Sequence, residues 1–177
     1  NYYVPKKDSN ISIIESPTEY SYYESLNKGI YYAINRGASL LLLLRCDTVI
    51  NNNSLIEMVN IIHNDKDVAM VSGKIYSHEK PDVLLSVGRN SFNKILPSSP
   101  VGYGEIDIGK YDFQENYQFV DESMILVSSD VIKEIGAYNT FFFTLSEQMD
   151  FCSRIREENY KIVYNPNAKV WKKNGLY

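Results

Sequence analysis

The sequence predicts an α/β domain built on a mostly parallel sheet flanked by helices. Three observations point there. Apolar stretches of strand length alternate with segments whose apolar residues recur at helical spacing. The run Leu40 to Leu44 is apolar without a break, the pattern of a strand covered on both faces. Arg45-Cys46-Asp47 follows that run directly, which puts one acid where open α/β sheets bind ligands, beyond the carboxyl ends of the strands. Aspartates are also common in turns for purely local reasons, so both readings of Asp47 stand.

In chain order, Asn10 to Glu15 carries Ile11, Ile13 and Ile14 and reads as a short strand ended by Pro17. From Tyr20 to Arg36 the positions Tyr23, Leu26, Ile30, Ala33 and Ile34 share one helical face, and Gly37 suits the residue just past a helix. The leucine strand follows. Ser54-Leu55-Ile56-Glu57 has the form of a capping box, and Leu55, Met58, Val59 and Ile62 make the stripe of the helix behind it. Val68 to Gly73 reads as a second buried strand. Helix, strand, helix, strand implies co-directional strands joined by right-handed crossovers.

Beyond this, Val83 to Val87 reads as a strand, and Gly88 to Asn116 as a functional flap or an antiparallel excursion. Phe119 to Val127 reads as a strand interrupted by Asp121, Glu122 and Ser123. Ser129 to Ile135 reads as a short helix stopped by Gly136, and a helix runs from Ser146 through Glu158. Lys161 to Tyr164 reads as a strand, Asn165-Pro166-Asn167 as a turn, and Ala168 to Trp171 as a last extended piece.

Composition bounds the function. With 177 residues and 44% hydrophobic content, the chain suits one domain over residues 1–177. The net charge is −4 and no basic stripe tracks a nucleic-acid backbone, so nucleic acid is not expected as a partner. The longest apolar run, Ala38 to Leu44, is too short to cross a bilayer, and no secretory leader opens the sequence. Cys46 and Cys152 form no CxxC and read as reduced thiols of a cytoplasmic protein. His63 and His78 lack metal-ligand spacing and read as solvated surface.

The ordered motifs carry a resemblance. Asn27-Lys28-Gly29-Ile30 with Gly37-Ala38, then Leu41 to Ile50, then Gly73-Lys74-Ile75-Tyr76, resemble successive motifs of family 2 glycosyltransferases. So do Ile135-Gly136-Ala137-Tyr138-Asn139 with Phe141-Phe142, Glu147 through Arg154, and Tyr160 through Trp171. Each is weak alone; their order over residues 24–172 carries the resemblance. It implies a GT-A-like fold and inverting transfer of a sugar from a nucleotide-diphosphate sugar to the hydroxyl of a glycan or lipid-linked acceptor. It also implies a divalent ion, Mg2+ or Mn2+, held with the help of Asp47. A carboxylate near the start of the Ser146 helix would take the acceptor's proton, and Arg154 would fix the surrounding network.

The chain departs from that pattern at several places. Where the family carries its usual base, this sequence has Gln148, which accepts no proton at neutral pH. Glu147 and Asp150 are the acids that would substitute; first-turn acids also favour the helix macrodipole without any catalytic part. Lys172 stands where many members have a histidine; its ammonium would face a diphosphate or solvent. Arg45 occupies the metal motif, where it would repel an ion or contact phosphate as a fork. Asp121 and Glu122, acids within an apolar stretch, are candidates for contact with donor or acceptor, with an exposed strand face as the alternative. Trp171 and Phe141 to Phe143 suit sugar stacking or the core.

Nothing before Asn10 resembles the family's first two strands. The sheet is expected to lack them, so that a removed segment, a partner chain or a second copy completes its edge. These departures leave a second function open: a catalytically inactive relative that binds or assembles.

Overall fold

A computed structural model describes residues 10–17, 19–89, 92–93, 96–97, 99–141 and 146–173. The elements are α1 (Tyr22–Asn35), β1 (Leu40–Leu44), β2 (Thr48–Ile50), α2 (Ser54–Asn64), β3 (Val68–Ser77), β4 (Leu84–Ser86), β5 (Phe92–Asn93), β6 (Leu96–Pro97), β7 (Glu115–Asn116), β8 (Met124–Ser128), α3 (Ser129–Ile135), α4 (Ser146–Glu157) and β9 (Lys161–Lys172). The α/β class holds.

The main sheet has the order β1-β8-β3-β9-β2, with β4 beside β3 and β7 beside β9. β3 and β9 pair in parallel, whereas β8 runs antiparallel between β1 and β3. The sheet is therefore mixed rather than mostly parallel. The expected crossovers do make β1, β3 and β9 co-directional. The later strand β8 then inserts between the first two in reverse, a placement that the local pattern of Phe119 to Val127 does not encode. Among the described residues β1 is an end strand, and Leu44 on it is exposed.

Both faces of the sheet are covered, which accounts for the leucine run. Leu41 and Leu43 join Ile30, Ile125, Val127, Val131, Phe151 and Ile155 in one cluster with α1, α3 and α4. Leu40 and Leu42 pack against the opposite cluster, where Met58 and Ile62 of α2 meet Val71, Leu126 and Val163. Successive side chains of a strand point to opposite faces, so a strand buried on both must be apolar throughout.

Several local expectations are corrected. Residues 10–15 form no strand; Ile11, Ile13 and Ile14 lie exposed beside α1. The capping box sits at α1, where Ser21 and Glu24 bond reciprocally, Glu24 N to Ser21 Oγ at 3.2 Å and Ser21 N to Glu24 Oε2 at 2.6 Å. At α2 the N-cap is Asn53, and Ser54 is turned to β9, donating to Lys169 O and accepting from Lys169 N. A backbone partner from a neighbouring strand has captured the hydroxyl that would otherwise cap the helix. β8 starts only at Met124, so Asp121, Glu122 and Ser123 lie in the turn before it rather than within a strand. There Asp121 accepts from Ser123 N at 2.8 Å and from its hydroxyl.

The turn expected at Asn165-Pro166-Asn167 appears as a bulge inside β9, where Gly73 pairs with Asn165 but Lys74 with Lys169. The bulge presses Ala168 O onto Gly73 so closely that a Cβ there would sit 2.1 Å from it. Gly88 to Asn116 is in part the expected antiparallel excursion, with β5 against β6 and β7 against β9. It is tied down by Lys74, fully buried, whose ammonium donates to Asp107 at 2.7 Å and to Asp112. Tyr76 also donates to Asp107, at 2.6 Å.

Candidate active site

Because β1, β3 and β9 are co-directional, their carboxyl ends lie on one side of the sheet. β1 ends at Leu44, opposite Met124, so the turn holding Arg45 and Asp47 meets the turn holding Asp121 and Glu122. Arg45 N donates to Ser123 O at 3.2 Å, and Thr48 Oγ1 to Arg45 O at 2.6 Å, which fixes that turn. β9 closes beside it. Thr48 pairs with Lys172, and Lys173 N donates to Asp47 O at 2.8 Å.

Arg45 is the hub. Its Nε lies 3.1 Å from Asp47 Oδ1, its Nη2 3.4 Å from Oδ2, and its Nη1 2.9 Å from Glu122 Oε1. The guanidinium lies 5.6 Å from the ring centroid of Tyr22. Burial opposes its charge, but the bonds and attraction of Asp47 and Glu122 win, so its pKa lies above the usual range. Tyr23 donates its hydroxyl to Glu122 Oε2. Burial, that bond, and the charges of Glu122 and Glu147 push the Tyr23 phenol well up. Burial and Glu122 likewise push Tyr22 up to about 12.

Glu147 stands in the first turn of α4 and is only 5% exposed, and its Oε2 is buried with no hydrogen-bond partner. Its charge reaches Tyr23, which in turn bonds Glu122. Hydrogen bonds thus connect Asp47, Arg45, Glu122 and Tyr23, with the charge of Glu147 felt at Tyr23.

The other residues of α4 are engaged elsewhere. Gln148 is buried; its Oε1 accepts from Tyr138 Oη at 2.9 Å, and its Nε2 donates to Val120 O at 3.3 Å. Asp150 Oδ2 accepts from Arg154 Nε at 2.8 Å. Arg154 also donates to the carbonyls of Ile135, Gly136 and Ala137, at 2.7, 3.1 and 2.8 Å. This pair fixes the loop after α3. Asn27 fixes the same loop from α1 through a two-way bond with the backbone of Tyr138, at 2.8 and 3.0 Å. Lys172 is partly buried, and its carbonyl accepts from His78 N. Trp171 stacks on Tyr76 with centroids 5.4 Å apart. Phe141 is exposed, while Phe142 and Phe143 lie outside the described residues.

Sequence reasoning missed Tyr22 and Tyr23. The Ser21-x-x-Glu24 spacing was the available signal, since it starts α1 where both tyrosines face the site turn.

A divalent ion held by Asp47 fits this arrangement poorly. Both Asp47 oxygens face a guanidinium, and no group of three His, Cys, Asp or Glu suited to a metal exists among the described residues.

The acids and the arginine are gathered at the carboxyl ends of the strands, where open α/β sheets bind ligands. The profile of the family described as "Glycosyltransferase like family 2" matches residues 7–175, and the chain belongs to that family. It is 29% identical over 161 residues to the low-salt glycan biosynthesis hexosyltransferase Agl10 of Haloferax volcanii, covering 86% of this chain and 48% of that protein. It is 26% identical over 165 residues to the O-antigen chain rhamnosyltransferase WbaN of Salmonella anatum, covering 92% of this chain and 49% of that protein. The chain therefore spans about half the length of these curated relatives. Among solved structures it shares its fold with GalNAc-T7, crystallised with UDP, GalNAc and Mn2+, at a TM-score of 0.68 and 12% identity over 88% of this chain and 31% of that one. It also resembles A197 from STIV, at a TM-score of 0.56 and 13% identity over 85% of this chain and 66% of that one. The expected GT-A-like fold is thereby shown. No helix among the described residues is long and apolar enough to cross a membrane.

Proposed function

We propose that this chain forms the acceptor-activating part of an inverting glycosyltransferase, with Glu147 as general base. The donor is a nucleoside-diphosphate sugar and the acceptor a hydroxyl of a glycan or lipid-linked glycan. The Glu147 carboxylate takes the acceptor hydroxyl's proton as the hydroxyl oxygen attacks the anomeric carbon. The bond from this carbon to the diphosphate breaks, and the diphosphate leaves with the electron pair.

One observation carries the assignment. Glu147 is buried, yet one of its carboxylate oxygens has no partner. Such a group is costly to fold, and buried polar atoms are nearly always satisfied. An exception of this kind near the carboxyl edge of an α/β sheet marks a group that a ligand would satisfy. Gln148 has no basic atom for the task, and Asp150 is committed to Arg154. Membership of the family supports sugar transfer, and the names of the two relatives support a hexose-type donor and a glycan acceptor. The unpaired thiols Cys46 and Cys152 support a cytoplasmic setting.

The test is incubation of the full-length protein with nucleoside-diphosphate hexoses and deoxyhexoses and with glycan acceptors, followed by the stereochemistry of the product. Inverted product, lost with Glu147→Gln, is expected. No transfer from any donor would instead favour a binding or assembly role.

A further inference from the structure

If this chain transfers sugar, the charge on the leaving diphosphate must be met by something, and the residues beside Asp47 identify it. A carboxylate that binds a dication has to turn lone pairs toward it. Asp47 turns both oxygens toward Arg45, at 3.1 and 3.4 Å. A dication at Asp47 would then stand beside a full positive charge in a partly buried site, where repulsion is poorly screened. Glu122 grips the same guanidinium from a second turn, and the Tyr22 ring lies against it. A group held from three sides is a fixed part of the site rather than a passing counter-ion for one acid.

Lys172 pairs with Thr48 in the sheet, and Lys173 bonds Asp47 through its amide. Two lysines thus follow the turn along β9, beside the acids Asp47, Asp121, Glu122 and Glu147.

We propose that Arg45, oriented by Asp47 and Glu122, takes the place of a divalent ion and binds the donor's diphosphate directly, so that donor binding is independent of metal. Arginine's planar fork matches phosphate oxygens, and its charge stabilises the departing diphosphate as an ion would. Asp47 is then a positioning residue for Arg45 and not a metal ligand. The proposal rests on the sugar-transfer reading, and its test separates the two.

UDP, GDP and dTDP are titrated calorimetrically into the full-length protein, once in EDTA and once in Mn2+. Mn2+ alone is followed by its electron paramagnetic resonance signal. The expected result is binding of one nucleotide with an equal dissociation constant in both buffers, no loss of free Mn2+ signal, and binding in EDTA weakened on the order of tenfold or more by Arg45→Gln. Arg45→Lys keeps the charge but loses the fork and should fall between. Its melting profile serves as the folding control. Binding that requires Mn2+, or wild-type protein that takes up Mn2+ alone, overturns the proposal and leaves sugar transfer standing. No nucleotide bound in either buffer overturns sugar transfer itself.

Discussion

Arg45 and Asp47, two residues apart in the turn after β1, face one another through a forked ion pair, with Nε 3.1 Å from Oδ1 and Nη2 3.4 Å from Oδ2. The pair ties the end of the leucine strand to Glu122, and through Tyr23 to α1. Asp47 and Glu122, 75 residues apart in the chain, are thereby linked through Arg45.

Gln148→Glu is predicted to destabilise the protein although it introduces an acid at the position where the family carries its usual base. The amide nitrogen that donates to Val120 O would become a carboxylate oxygen facing that carbonyl. The cost is about 1–3 kcal/mol. Thermal melts should show it at neutral pH and show less of it in acid, where the protonated carboxyl again donates.

The Lys74 cluster makes a prediction about acid. Burial tends to raise the Asp107 pKa, but the bonds from Lys74, Tyr76 and the Gly109 amide outweigh it and hold the carboxyl down at about 2. Its ordinary value is about 3.9. A depressed folded pKa gives stability that is full above pH ~4 and lost as the pH falls toward about 2. The gap in melting temperature between wild type and Asp107→Asn should therefore narrow over that window. Lys74→Ala, which leaves Asp107 without its buried cation, should cost about 3 kcal/mol or more at neutral pH.

Gly73→Ala should cost about 3 kcal/mol, because the added methyl meets the Ala168 carbonyl, which is backbone and has no rotamer to yield. Urea unfolding reads it directly. Gly29→Ala, where a Cβ meets nothing within 4 Å, is the control and should be neutral or slightly stabilising.

Periodic elements were legible in the sequence, and long-range placement was not. α1, α3 and α4 begin and end within two residues of where their apolar stripes, Gly37 and Gly136 put them. Those signals are local. The insertion of β8 between β1 and β3 follows from pairing across the chain, and no local pattern encodes it. Ser54 shows the same limit: its capping spacing was real, but Lys169 of β9 competes for the hydroxyl. At the site, the candidacy of Arg45, Asp47, Glu122 and Glu147 was readable from residue type and position, and Arg45, Asp47 and Glu122 do meet. Which acid is committed was not, since Arg154 claims Asp150 only once the loop after α3 is in place.

The two thiols should respond differently to a probe. Cys46 is exposed, whereas Cys152 is buried and burial pushes its thiol up to about 12. A colorimetric disulfide reagent should label Cys46 in the native protein and reach Cys152 only after unfolding. Rapid labelling of both would mean that α4 opens readily.

The most direct measurement is the rate of sugar transfer by full-length Glu147→Gln compared with Asp150→Asn, each checked by its melting profile. A loss of about 10²–10⁴ in kcat for Glu147→Gln, with the fold intact, is what a general base at that carboxylate requires. A wild-type rate from folded Glu147→Gln would contradict it.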